Sequence, residues 1–312
     1  MSELQYHIPA LLPQAIEALD IRPDGIYVDA TFGGGGHSRA IMEELSPAGH
    51  LYSFDQDTDA VSRAFSDDRF TMVLSNFRYM RNFLRFYGVD RVDGILADLG
   101  VSFHHFDDPE RGFSFRADGP LDMRMNRNAR LTAQTVVNTY TEKQLADMFY
   151  LKGELKSSRR LAATITAARE KKPIDTTEEL LATVKPLINP RAEKKELAQI
   201  FQALRIEVNN ELDALESLLK ASLRVLRPGG RLAVITYHSL EDRIVKNFMR
   251  TGNINGEEAK DFFGRNLSPM KLINSKPIVP DEAETEANPR SRSAKMRVAE
   301  YIGSADSQSN AK

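Results

Sequence analysis

Two kinds of apolar pattern alternate along the first hundred residues. Short, β-rich apolar runs bounded by turn residues alternate with segments whose apolar positions recur at helical spacing. The runs that predict strands are, in chain order, 26–30, 50–54, 70–74 and 92–97. Strict alternation of strand and helix is typical of a parallel sheet with helices on both faces. The sequence therefore predicts an α/β fold with a doubly wound sheet.

The alternation stops after the fourth strand. From about 106 to 205 the pattern predicts loops and helices, the helices at 142–151, 156–171, 177–186 and from 194 onward. Sheet-type patterns return at 231–236, followed by a helix from Ser239, and again at 294–302, after an irregular polar stretch over 251–293. We therefore predict a discontinuous α/β domain (1–105 and 206–303), an inserted all-helical substrate-binding domain (106–205) and a disordered tail (304–312).

Composition removes several reaction classes. The 312 residues include no cysteine, which excludes disulfides, thiolate zinc sites, iron–sulfur clusters and a thiolate nucleophile. No metal is expected, because the acids and histidines around His104 follow no ligand spacing. The formal net charge of −2 means that any contact with nucleic acid must come from local basic clusters. No apolar run reaches the ~18 residues of a membrane helix and no signal peptide is evident, so we expect a cytoplasmic protein without membrane contact.

Four consecutive glycines, 33–36, lie between the first predicted strand and its helix. Glycine permits positive φ and close backbone approach to a ligand, and the N–H groups at a helix start favour an anion. Asp55 ends the second strand, where a carboxylate can accept ribose hydroxyls. Arg39 occupies the third glycine position of a dinucleotide fingerprint, which disfavours a nicotinamide dehydrogenase. With Phe77 after the third strand and Asp98 after the fourth, the layout suits S-adenosylmethionine: amides of Gly34, Gly35 and Gly36 for its carboxylate, Asp55 for its ribose and Phe77 for its adenine.

Seven motifs in order resemble the MraW/RsmH family of bacterial small-subunit ribosomal RNA cytosine-N4 methyltransferases. They are 29–38 (DATFGGGGHS), 98–102 (DLGVS), 110–114 (ERGFS), 119–125 (GPLDMRM), 201–206 (FQALRI), 238–243 (HSLEDR) and 288–295 (NPRSRSAK). The resemblance runs from His7 to about Ile302. It implies a Rossmann-like S-adenosylmethionine-dependent methyltransferase with an inserted helical domain, acting on a cytidine of the ribosomal decoding region.

The resemblance also assigns cofactor positions. They fall on Gly35, Gly36, His37, Asp55, Phe77 and Asp98 and on residue 105. At the last of these the chain departs from the family, because Phe-His-His-Phe-Asp stands at 103–107 where Ser-Pro-Gln-Leu-Asp is usual. We retain His105 as a cofactor candidate.

The chemistry narrows the reaction independently of the resemblance. Without cysteine, methylation at a pyrimidine carbon is excluded, and direct transfer to nitrogen or oxygen remains. Asp98 is then either a cofactor ligand or a catalytic group that accepts hydrogen bonds from the reacting amine. His238 is the second catalytic candidate, at the target-base pocket. Ser239 and Asp242 fit a helix N-cap box.

Contact with RNA is expected from three basic clusters. Residues 152–172 hold seven basic residues against two acidic ones, 290–297 hold four basic residues, and 111–130 hold five with nearby aromatic rings. The substrate-binding candidates are Ser102, Arg111, Phe113, Arg124, Arg243, Arg290 and Arg292. The expected partner is small-subunit ribosomal RNA or the small ribosomal subunit. A DNA N-methyltransferase and a non-catalytic RNA-binding assembly factor remain alternatives.

Overall fold

A computed structural model describes residues 9–101, 106–264 and 267–303. The predictions for Ser102, for His105 and for the tail 304–312 lie outside these residues. Within them, seven strands form one sheet in the order β3-β2-β1-β4-β5-β7-β6. The strands are β1 (Ile26–Asp29), β2 (His50–Asp55), β3 (Phe70–Leu74), β4 (Val92–Asp98), β5 (Leu226–Thr236), β6 (Met270–Leu272) and β7 (Lys295–Tyr301).

Strands β1 to β5 run parallel, whereas β7 is antiparallel to both β5 and β6. The order reverses between β1 and β4, so connections leave these two strands in opposite directions. Ligands of open α/β sheets bind outside the carboxyl ends of the strands at such a switch point. The sheet confirms the predicted α/β class and directs attention to the residues that follow β1, β2, β4 and β5.

Some helices cover the sheet, and others form a second compact unit. They are α1 (Leu12–Leu19), α2 (Gly36–Glu44), α3 (Thr58–Val61), α4 (Met80–Phe86), α5 (Ala133–Thr139), α6 (Glu142–Leu151), α7 (Ser158–Arg169), α8 (Thr177–Val184), α9 (Glu193–Asn209), α10 (Glu211–Val225), α11 (Ser239–Thr251) and α12 (Glu282–Ala287). The described residues up to Gly100 and from Asp213 onward form one unit, and Val101–Leu212 form the other.

Each unit has its own apolar core. In the sheet unit, nearly every residue of the central strands is buried. Alternate residues belong to the main apolar core, with Val28, Ile95 and Val234 fully inaccessible, and the residues between them belong to a second apolar cluster. In the helical unit, Leu145 and Phe149 of α6 pack with the apolar faces of the neighbouring helices. The described residues of that unit form helices, loops and one isolated bridge between Pro120 and Thr176.

The pattern missed three short elements. Helix α5 is rich in β-branched residues, and the Thr132 side chain stabilises its start by accepting a hydrogen bond from the N–H of Thr135. Strand β6 and helix α12 lie in the stretch 251–293 that was expected to be irregular. Three-residue β6 exists only because it pairs with β7, a contact that a local pattern does not contain.

Candidate active site

The glycine loop joins β1 to α2 and needs glycine for two different reasons. Gly35 has φ +78°, and a Cβ placed there would lie 2.7 Å from Cζ of the buried Phe32 ring. A Cβ on Gly36 would lie 2.5 Å from Cγ of Pro9. At Gly33 the nearest atom to an added Cβ is 3.9 Å away, so this backbone borders open space. Gly34, between Gly33 and Gly35, is exposed. The loop is therefore packed on one side and accessible on the other.

A buried polar network supports this loop from below. The Asp29 carboxylate accepts hydrogen bonds from the Thr31 N–H (3.0 Å) and from the Ser38 hydroxyl (2.6 Å). The Ser38 hydroxyl also lies 2.8 Å from that of Ser53 on β2. Burial raises the pKa of Asp29 above its usual range. The network ties β1, β2 and the first turn of α2 together and holds the loop in place.

Asp55 ends β2 directly beside the loop. Its Oδ2 accepts the N–H of Gly33 and its Oδ1 accepts the N–H of Asp57, both at 2.9 Å. Burial raises the pKa of Asp55 to about 6, although the two backbone hydrogen bonds oppose the shift. Each carboxylate oxygen has a further lone pair. Asp55 can therefore accept ligand hydroxyls while it remains bonded to the loop.

Asp98 lies at the carboxyl end of β4, next to the end of β5. Its N–H donates to the Thr31 hydroxyl (2.7 Å), and its Oδ1 accepts the Tyr237 hydroxyl (2.8 Å). The side chain is 21% exposed. Burial raises the pKa of Asp98 to about 7, the Asp29 and Glu241 carboxylates add to the rise, and the hydrogen bond from Tyr237 opposes it. This carboxyl group consequently changes protonation near neutral pH.

His37, in the first turn of α2, faces Asp98 from the other side. Its Nε2 lies 3.2 Å from the Ala10 carbonyl oxygen, and its Nδ1 lies 3.9 Å from Oδ2 of Asp98. Burial lowers the pKa of His37 to about 4, so the ring is neutral at physiological pH. Because a carbonyl only accepts, the assigned proton is on Nε2, and the Nδ1 lone pair points toward Asp98. His37 therefore supplies no positive charge to this carboxyl group.

His238 follows β5 and caps α11. Its Nδ1 accepts the N–H of Glu241 at 3.5 Å, and its buried Nε2 is 3.2 Å from Oε1 of Glu241 without forming a hydrogen bond. The predicted N-cap box on Ser239 is therefore wrong: His238 is the N-cap residue. Asp242, the other member of that box, instead accepts two hydrogen bonds from Arg297 (2.6 and 3.1 Å). The role of His238 at a target base stays a prediction.

Phe77 begins the single turn between β3 and α4. Its ring is half-buried and packs against the main apolar core. The Asn76 side chain just before it accepts the N–H of Arg78, which sets the direction of the turn. Hydrogen bonds thus join Gly33 to Asp55 and Thr31 to Asp98, and His37 lies beside Asp98 without a hydrogen bond to it. Phe77 follows the neighbouring strand β3.

The predicted RNA-binding residues differ in exposure. Arg111 is 2% exposed, and its guanidinium donates to the carbonyls of Arg124 and Met125. Phe113 is also buried, and Arg124 pairs with Asp122 at 2.6 Å. These contacts stabilise the loop of the helical unit and argue against Arg111 and Phe113 as surface contacts. The remaining candidates within the described residues, Arg243, Arg290 and Arg292, are exposed.

Sequence reasoning missed Tyr237 and Thr31. Both contact Asp98 only because the carboxyl ends of β1, β4 and β5 are adjacent. A signal was available: Tyr237 immediately follows a strand predicted to end at the same edge as Asp98.

Comparison with known proteins covers nearly the whole chain. Residues 4–302 match the model of the MraW methylase family. A ribosomal RNA small subunit methyltransferase H from Parabacteroides distasonis is 61% identical over 298 residues, which are 95% of this chain and 98% of that protein. The protein of the same name from Phocaeicola vulgatus is 61% identical over 302 residues (96% and 99%), and that from Flavobacterium johnsoniae is 53% identical over 299 (96% and 99%).

Two further observations bear on the protein's class. No helix within the described ranges is long and apolar enough to cross a bilayer. The match to the family model extends over both units of the chain. The glycine loop, Asp55 and Asp98 therefore lie within a chain that belongs to the MraW methylase family and is a methyltransferase.

Proposed function

We propose that this protein transfers the methyl group of S-adenosylmethionine to the exocyclic N4 amine of a cytidine in small-subunit ribosomal RNA. One observation carries the proposal: relatives that are about 60% identical over nearly the whole chain are ribosomal RNA small subunit methyltransferases. The layout of the site supports it, because a carboxyl group with a raised pKa ends β4 beside the glycine loop. Because this substrate is ribosomal, we infer that the protein acts in the cytoplasm.

The residues present fit the cofactor. The glycine loop borders open space at Gly33, where a Cβ would otherwise intrude, and α2 begins just beyond it. Backbone N–H groups at such a helix start suit the cofactor's carboxylate. The spare lone pairs of Asp55 suit the ribose hydroxyls, and the half-buried Phe77 ring suits the adenine. We assign the N–H groups of Gly34 and Gly36 to the carboxylate on this basis, whereas the N–H of Gly35 donates to the Phe32 carbonyl at 2.7 Å and holds the turn between them.

The chemistry of the acceptor defines the task of Asp98. The cofactor supplies an electrophilic methyl group on a sulfonium. The cytosine amine is a weak nucleophile because its lone pair is delocalised into the ring. A carboxylate that accepts an N–H hydrogen bond favours the pyramidal nitrogen that attacks, and a pKa of about 7 makes it basic enough to receive the proton that the amine loses.

Tyr237 positions this carboxylate. Its hydroxyl occupies one lone pair of Oδ1, at 2.8 Å, and the N–H of Asp98 is held by Thr31. The Tyr237 contact restricts rotation of the Asp98 side chain, the Thr31 contact fixes the Asp98 backbone, and Oδ2 is left for the amine. The reactive geometry is therefore set before the substrate binds, which is how oriented groups lower an activation barrier.

The proposal is tested by following labelled methyl groups from S-adenosylmethionine into four acceptors: small subunits lacking the modification, free ribosomal RNA, duplex DNA and buffer. Label in RNA that digests to N4-methylcytidine supports the proposal. Label in DNA alone supports a DNA methyltransferase, and no label with intact cofactor binding supports a non-catalytic assembly factor.

Variants link the activity to the site. Asp98→Asn should bind S-adenosylmethionine and lose transfer. Asp68→Asn, at an exposed aspartate of the same unit, is the matched control and should retain full transfer. Equal transfer by both variants would remove Asp98 from the reaction.

A further inference from the structure

Helix α4 and the single turn before it (Phe77–Tyr79) carry a row of arginines, of which Arg81 and Arg85 are exposed and Arg78 is half-buried. Arg78, Arg81 and Arg85 are three and four positions apart, so they lie on one face of the helix. The opposite face carries Met80 and Leu84, which are fully buried in the main core. Packing therefore fixes the orientation of α4 and directs the arginines outward.

Within the part of the chain that the structure describes, these arginines have no acidic partner. The sequence contains no aspartate or glutamate between Asp68 and Asp90. Among the described residues, none forms an ion pair with the guanidinium groups of Arg78, Arg81 and Arg85. Arg81 and Arg85 form a like-charge pair four residues apart, which destabilises a helix.

Two other helices satisfy charges at the same spacing. On α6, Lys143 pairs with Asp147 at 2.7 Å, and on α10, Lys220 pairs with Glu216 at 3.0 Å. Helix α4 differs from these two because no acidic residue stands three or four positions from its arginines.

Exposed aromatic rings lie beside the arginines. Tyr79 is 51% exposed, Phe86 79% and Tyr87 41%. Tyr79 and Phe86 are seven positions apart, so they form a second row next to the arginine row. The Arg78 guanidinium lies 5.8 Å from the centre of the Tyr79 ring, and the Phe86 ring meets Tyr87 edge-on at 5.1 Å. The core does not require the exposed area of these rings.

We propose that this arginine–aromatic surface of α4 binds the ribosomal RNA substrate, its arginines contacting phosphates and its aromatic rings stacking on unpaired bases. The inference rests on the proposed function, which makes RNA the polyanion available to the protein. Unpaired cations at helical spacing suit consecutive phosphates, and any base can stack on an exposed ring. An acidic protein surface could pair with the arginines, but it would offer the exposed rings no bases on which to stack.

The arginine–aromatic surface gives the sheet unit a second point of contact with the RNA, in addition to the site at which the target base reacts. Arg78 directly follows Phe77, the residue assigned to adenine, so the surface begins at the cofactor side of the site. A target base must leave its stack to react. Holding neighbouring unpaired nucleotides on α4 would keep the RNA strand in the open state that this step needs.

The arginine row is tested by measuring binding to an in vitro transcript of small-subunit ribosomal RNA over a salt series. Arg81→Ala/Arg85→Ala should reduce the slope of log affinity against log salt by about two, one for each phosphate contact. Lys220→Ala/Arg224→Ala removes two charges from exposed positions of α10 and is the matched control. Its slope should equal that of the unmodified protein. Thermal melting followed by circular dichroism verifies that both variants are folded.

The aromatic row is tested separately. Phe86→Ala should weaken binding about tenfold without a change of salt slope, because stacking involves no ion release. Phe86→Leu keeps an apolar side chain and should be weakened similarly, since it too lacks a ring face. Full affinity in Phe86→Leu would show that stacking does not contribute and would overturn that half of the inference.

The outcomes separate this inference from the proposed function. If the unmodified protein methylates RNA and the α4 variants keep its RNA affinity and KM, the α4 surface is refuted and the function stands. If methyl transfer fails for every acceptor, the proposed function is refuted, and the binding measurements still decide the α4 surface. Normal binding to free RNA with weakened binding to assembled subunits would assign α4 to a ribosomal protein and overturn the inference.

Discussion

Replacing Asp98 by asparagine should stabilise the folded protein. Asparagine keeps the size of the side chain and an oxygen that can accept the Tyr237 hydroxyl, but it carries no charge. Burial raises the pKa of Asp98 from 3.8 to about 7. At about 1.36 kcal/mol per pKa unit, ionising this group costs the native state on the order of 4 kcal/mol at alkaline pH. The carboxyl group to which we assign the acceptance of the amine proton thus lowers the free energy of unfolding at that pH.

The sign of the pH dependence follows from the raised pKa. The folded protein binds the Asp98 proton more tightly than the unfolded chain does, so this group lowers stability as pH rises from about 4 to about 7. The asparagine variant lacks this loss. The free energy of unfolding of Asp98→Asn should therefore exceed that of the unmodified protein by about 2 kcal/mol more at about pH 8 than at about pH 5.5. The native carboxyl group ionises between these two pH values.

Urea unfolding followed by circular dichroism at the two pH values measures the difference. Asp68→Asn, at an exposed aspartate, should show no such change between them. An Asp98→Asn advantage of equal size at both pH values would refute the reasoning, because it would show that Asp98 ionises at its ordinary pKa.

Three further predictions concern the same neighbourhood. Asp55→Asn should weaken S-adenosylmethionine binding roughly 10- to 100-fold in calorimetry, because a charge-assisted acceptor for the ribose is lost; an unchanged affinity would contradict the assignment. Tyr237→Phe removes a hydrogen bond that favours ionised Asp98, so the acidic limb of the pH–rate profile should move up by about one unit, and an unmoved limb would exclude this coupling. Gly35→Ala combines a φ of +78° with a 2.7 Å approach to Phe32, whereas Gly88→Ala has a φ of +73° and no neighbour within 4 Å. In urea unfolding, the free energy of unfolding should fall by about 1 kcal/mol for Gly88→Ala and by clearly more for Gly35→Ala. Equal decreases would mean that the Phe32 ring moves aside to accommodate the new methyl group.

The arginine–aromatic surface of α4 shows how structure changes the reading of a charge pattern. Counting charges singled out the clusters at 111–130 and 290–297, yet Arg111 is buried and Arg297 is paired with Asp242. The sequence analysis did not select Arg78, Arg81 and Arg85, because they are spread over eight positions. Only burial of the opposite helix face shows that they point outward together.

Local sequence determined the elements whose cause is local. The period of apolar residues placed β3 at 70–74 and α6 at 142–151, as observed. The glycine loop was recognisable because positive φ and tight packing leave few alternatives to glycine. The alternation of strands and helices was sufficient for the α/β class, since each strand must bury both faces.

Tertiary structure alone decided what depends on contacts between distant residues. Asp98 and Tyr237 are 139 positions apart, and their hydrogen bond exists because β4 and β5 are neighbours in the sheet. The same holds for Asp242 with Arg297, a pair 55 positions apart that lies outside the predicted cap box, while His238 caps α11. Burial sets the pKa of Asp98 near neutrality, and burial is a property of the assembled unit. The sequence by itself supplied the reactive groups and the turn that holds them, whereas packing of non-adjacent strands determined their protonation and their partners.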